Sequence, residues 1–152
     1  MGYRFTGFFA RAEASLIEHA KQQWPGCSGQ VMTTPFAGIC VETPDPERAE
    51  TGEAGIGTRE LGYAMEDELP SWSARHPGVR LVFVAADCAG GMCEYRGFVC
   101  QNGLVEATEP WQRRGAGALL RLMAHLGVSL GPDEYFAPFE RGRVRRGGEG
   151  EP

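Results

Sequence analysis

A chain of 152 residues with 42% hydrophobic and 23% charged side chains has the length of one domain and the composition of a folded one, which argues against global disorder. Its formal net charge is −5, from 15 basic and 20 acidic residues; phosphate neutralisation needs a basic face, so no nucleic-acid partner is expected. No run approaches the ~18 consecutive apolar residues of a membrane span, no secretory signal opens the chain, and a cytoplasmic protein without a membrane partner is expected.

Residues 3–9 are aromatic-rich and bounded by glycines, the pattern of a first strand. Residues 10–24 carry Leu16, Ile17, Ala20 and Trp24 at helical spacing, and Pro25-Gly26 ends the helix. Residues 30–32 and 37–41 read as short strands around Thr34-Pro35, and residues 42–57 as a polar loop. A second helix is predicted over 59–72, with Leu61, Met65, Leu69 and Trp72 on its inner face and Pro70 kinking or restarting it. The apolar run at 79–86 reads as a central strand. Residues 94–101 and 104–108 flank Asn102-Gly103, whose residues accept positive φ; the dipeptide predicts a two-residue hairpin turn pairing Gln101 with Leu104. A third helix runs from residue 112 or 113 to 126, with Gly127 as its stop. Tyr135, Phe136, Pro138 and Phe139 should pin the following segment to the body. The expected architecture is α+β: a mainly antiparallel sheet of about five to six strands, with three helices packed mostly on one face. Residues 1–140 form a single domain, and residues 141–152 an arginine- and glycine-rich disordered tail.

Charge is unevenly placed. Residues 42–70 hold nine acids against two arginines, a net of −7, whereas residues 113–152 hold seven arginines against five acids, a net of +2. Glu60, Glu66, Asp67 and Glu68 concentrate the acidic excess on the second helix. Leu61, Met65 and Leu69, each four apart, must share the buried stripe, so these acids are expected on the exposed side. A solvated helix face explains such a run, and so does a docking surface for a basic partner, because clustered like charge steers association.

Five cysteines stand at 27, 40, 88, 93 and 100. An odd number at loose spacing predicts five reduced thiols in a cytoplasm. Cys88 and Cys93 flank Gly90-Gly91 closely enough to pair or to share a metal, but no second close pair of ligands accompanies them, so no metal is expected. His19, His76 and His125 are scattered. No zincin, Walker, nucleophile-elbow or dinucleotide motif is present, and no residue is assigned a catalytic role. One lysine against 14 arginines points to a GC-rich bacterial genome.

Gln112-Arg113-Arg114-Gly115-Ala116-Gly117, opening a helix, resembles the acyl-CoA-binding loop of the acyl-CoA N-acyltransferase superfamily. The resemblance implies an acetyl-CoA pyrophosphate held on the backbone N–H groups of this segment, with Gln112, Arg113, Arg114, Gly115 and Gly117 as its cofactor-binding residues. That family continues with further strands after the helix, and residues 128–152 lack their alternation. The stretch ADCAGGMCEYRGFVCQNG, with FAPFERG beyond it, resembles small uncharacterised bacterial proteins, some of them immunity partners of secreted toxins. The resulting expectation is a non-catalytic interaction module. It is an immunity-type inhibitor that docks a basic protein, such as a toxin encoded nearby, through Glu60, Glu66, Asp67 and Glu68. An acyl-CoA-dependent N-acyltransferase-like enzyme is the alternative.

Overall fold

The computed structural model describes residues 2–44, 54–89, 92–112, 116–131, 136 and 139. Among them the elements run β1 (Gly2–Ala10), α1 (Ser15–Gln23), β2 (Ser28–Met32), β3 (Gly38–Glu42), α2 (Ala54–Ser73), β4 (Leu81–Ala89), β5 (Met92–Gln101), β6 (Leu104–Gln112) and α3 (Gly117–Ala124). The six strands form one sheet in the order β2-β3-β1-β4-β5-β6. Every neighbouring pair is antiparallel, so the expected α+β class holds, with the sheet as the main element.

Strand alternation builds two cores. On one face the rows Phe5–Ala86–Tyr95 and Phe9–Val82–Val99 meet Leu119, Leu122 and Met123 of α3, together with Phe136 and Phe139. On the other face the row Phe8–Phe83–Phe98 meets Leu16, Ile17 and Trp24 around α1 and Met65, Leu69 and Trp72 of α2. Two helices thus share a face, and the third covers the reverse. The unbroken apolar run of β4 has a direct cause here: both faces of a central strand are buried, from Leu81 through Ala86, as covered sheets require. Phe136 and Phe139 are buried as the pinning expectation has it; Tyr135, Pro138 and the tail at 141–152 lie outside the described residues.

Element ends differ from expectation where the ladder claims residues. Ala10 pairs with Ile39, so β1 runs to residue 10 and α1 begins only at Ser15. Gln112 pairs with Tyr95, so β6 passes Thr108 and α3 begins at Gly117. Pro110 is tolerated because β6 is an edge strand. Helix α2 starts at Ala54, earlier than the predicted loop allows, and runs through Pro70 to Ser73 without restarting. The Ser73 hydroxyl donates to the Pro70 carbonyl (2.6 Å). Asn102-Gly103 forms the predicted turn, with φ of 54° and 86°; Gln101 faces Leu104 and Cys100 faces Val105. The turn is tied to the end of α2: Gly103 N–H donates to Ser73 Oγ (2.8 Å) and Gly78 N–H to Asn102 Oδ1 (2.9 Å).

The expectation of five free thiols is overturned. Cys88 and Cys93 stand directly opposite each other on β4 and β5, with Cα atoms 4.0 Å apart, and form a disulfide. Their spacing allowed the pairing, and strand register brings it about. Cys27, Cys40 and Cys100 are buried and are not joined in a disulfide.

Candidate functional site

Following β1, β4 and β5 away from the α1/α2 core, the same face changes character row by row. Phe8–Phe83–Phe98 gives way to Thr6–Ala85–Arg96, then to Arg4–Asp87–Glu94. Small and polar side chains leave room under the flank of α2, and a cleft of about 240 Å³ opens there. Arg4, Thr6, Ala85, Asp87 and Arg96 form its floor, and Gly62, Tyr63 and Glu66 of α2 form one wall. Trp111 of β6 stands at the far side. Thr43 closes the β3 end, its N–H and hydroxyl both donating to Thr6 O (2.9 and 3.2 Å).

Arg96 organises the cleft. Its two terminal nitrogens donate to both carboxylate oxygens of Glu66, Nη2 to Oε1 at 2.7 Å. Its guanidinium carbon lies 5.1 Å from the Trp111 ring centroid. Both charged side chains are only about one-quarter exposed (25% and 26%). The hydrogen bonds to Glu66 hold the Arg96 guanidinium above its ordinary pKa, so Arg96 stays charged and the two-point geometry is fixed. A second pair, Arg4 Nε to Asp87 Oδ1 at 3.7 Å, is more open to solvent. Around these charges Tyr63 (59%) and Trp111 (47%) are large and exposed.

The acids of α2 therefore divide. Met65 and Leu69 are fully buried and Leu61 packs against them, which fixes the helix face as predicted. Asp67 and Glu68 are exposed. Glu66 is drawn inward by Arg96, and Glu68 Oε1 accepts from Gln23 Nε2 and Trp24 Nε1 (both 3.0 Å). The Glu60 side chain and the acidic stretch at 45–53 lie outside the described residues. Arg113, Arg114, Gly115 and the Gln112 side chain also lie outside them, and Gly117 opens α3. Sequence reasoning passed over Arg4, Tyr63, Asp87, Arg96 and Trp111. The available signal was Arg96 itself: a charge two residues before Phe98, on the same face of β5 as that buried ring.

At the far end of α2, the rings of His76 and His19 stack at 5.3 Å, and His76 lies 4.3 Å from Trp72. Burial first, then the charges of His19 and Arg75, push the His76 pKa below 6.5. The unfolded chain then binds a proton more readily than the folded one. This contribution to stability is complete above the unfolded value and is lost as pH falls through the folded one. The melting temperature should be lower at about pH 5.5 than at about pH 7.5, and His76→Gln should flatten that slope; equal slopes in both proteins would remove the stack as the cause.

Among the described residues no group of three or more His, Cys, Asp or Glu side chains could hold a metal ion, and no helix is long and apolar enough to cross a membrane. No family model matches this chain, and neither a curated protein nor a solved structure shows significant similarity to it.

Proposed function

We propose that this protein is a non-catalytic binding module, an immunity-type inhibitor of a basic partner protein, which docks on α2 and the cleft beside it. The observation that carries this reading is the exposed pair Tyr63 and Trp111 flanking the fixed Glu66–Arg96 contact. Tyr, Trp and Arg are the residues that dominate interface energetics, because they bring large, rigid contact area and directional hydrogen bonds. Asp67 follows Tyr63 by four residues on the helix and so lies on the same side. A cationic surface would meet Asp67 at the rim, with Glu68 adding negative charge from the α1 side of the helix, while its own side chains cover the two rings. Rim charge steers the encounter, the covered aromatics slow dissociation, and inhibition is by occlusion. The setting that suits such a protein is the cytoplasm of the bacterium that makes the partner.

The test is direct binding to the protein encoded beside this one, by calorimetry or surface kinetics. Tyr63→Ala and Trp111→Ala should each weaken binding at least about tenfold, as hot-spot truncations do. Asp67→Lys with Glu68→Lys should slow association, with the difference shrinking at high salt. Wild-type affinity in all three variants would overturn the reading. A melting temperature raised by acetyl-CoA would favour the acyltransferase alternative, since a ligand bound by the native state stabilises it by mass action.

A further inference from the structure

We infer that the Cys88–Cys93 bond is an exchange-competent disulfide, which a dithiol reductant opens on the folded protein to release the end of the β4–β5 hairpin. The bond spans only five residues, inside a hairpin that the ladder from Leu81–Cys100 to Asp87–Glu94 already closes. Closing so short a loop removes little entropy from the unfolded chain, so the bond adds modestly to overall stability. It lies at the sheet's end, beside exposed Ala89 and Met92, and Cys93 is only partly covered, so a thiolate can reach its sulfur.

The rung next to the bond supplies a reason for the clamp. Asp87 and Glu94 face each other directly across the strands, and like charges so placed repel. Arg4 stands on the Asp87 side of the rung, 3.7 Å from its carboxylate. Together with the Ala89–Met92 rung beyond it, the disulfide braces the end of the hairpin against this repulsion, and opening it loosens the charged rung. Asp87 lines the cleft, so the cleft floor changes with the redox state. Selectivity is built in. Cys27, Cys40 and Cys100 are at most 7% exposed, and burial raises the Cys27 thiol and pushes Cys100 up to about 11, which leaves little thiolate to react.

In the exchange, one thiolate of the dithiol attacks Cys93 Sγ, and Cys88 leaves as a thiolate and takes a proton. The second thiol attacks the mixed disulfide, releases Cys93 and closes the reductant's own disulfide. The protein gains two electrons and two protons; the dithiol loses them. Cytosolic disulfides are of this transient kind.

Oxidised protein is incubated with dithiothreitol without denaturant, alkylated with N-ethylmaleimide and mapped by mass spectrometry. Two adducts, at Cys88 and Cys93, are expected, with the far-ultraviolet circular dichroism retained and faster amide exchange confined to the hairpin end. No adducts until denaturant is added would overturn the inference, as would loss of folded signal at the same reductant concentration. The double variant Cys88→Ser/Cys93→Ser should fold, with its melting temperature lowered by less than about 10 °C; an unfolded double variant would make the bond a structural staple and sink the proposal.

Discussion

A Gly97→Val chain should lose its cooperative melting transition. Gly97 lies mid-strand opposite Val84, directly beneath α3. A Cβ there would press on the Phe83 carbonyl oxygen and come within 2.9 Å of Leu122 Cδ1. Leu122 is fully buried, so it has nowhere to retreat without moving the helix. Ordinary core overpacking costs about 1–3 kcal/mol; a contact with sheet backbone cannot be relieved by a rotamer change and costs more. Clashing at once with sheet backbone and a buried helix side chain, the valine is expected to cost as much as the lower end of a total stability of about 5–15 kcal/mol, which depopulates the native state. Gly97→Ala should shift the melting temperature down in the same direction by less. Circular dichroism melts decide it, and a valine variant within a few degrees of wild type would mean that α3 does not sit on this strand.

Phe139→Ala should cost about 3–5 kcal/mol in urea unfolding, the usual loss for a buried phenylalanine. The ring is 2% exposed. It contacts the rings of Phe5, Phe136, Phe9 and Tyr95, with centroids 4.9, 5.3, 5.8 and 5.9 Å away. Alanine would leave a cavity bounded by rigid rings on two strands, which cannot collapse to fill it. Phe139→Leu should recover part of the loss. An alanine variant that lost less than about 1 kcal/mol would place this segment off the core.

Local chemistry made much of this molecule legible. The stripe Met65–Leu69–Trp72, the Asn102-Gly103 turn and the apolar run of β4 each encode their structure within a few residues, and each formed as read. What stayed hidden depends on register. Cys88 and Cys93 look like loop thiols until β4 and β5 pair. Arg96, Asp87 and Arg4 are far apart in sequence and meet only because three strands align in rows. The acids of α2 were readable as a helix face, but Arg96, thirty residues on from Glu66, draws that acid inward, and Gln23 and Trp24 hold Glu68. Two-sided burial of β4 could have been inferred from its continuous hydrophobicity from Leu81 to Ala86, and it agrees with α3 lying on the reverse face.

The position of β1 bears on how the chain acquires its shape as it leaves the ribosome. β1 precedes its neighbours in the chain yet lies in the middle of the sheet, between β3 and β4, and its longest pairing, from Gly2–Ala89 to Phe9–Val82, waits for residues 82–89. Until those residues follow, Phe8 and Phe9 have only α1, Phe36 and β3 beside them, and the β4 side of β1 stays open. Such non-local pairing slows folding and lengthens the exposure of sticky surface. The nascent protein should therefore depend on holding chaperones more heavily than its modest size suggests, and a circular permutant that begins at β4 would shorten that wait.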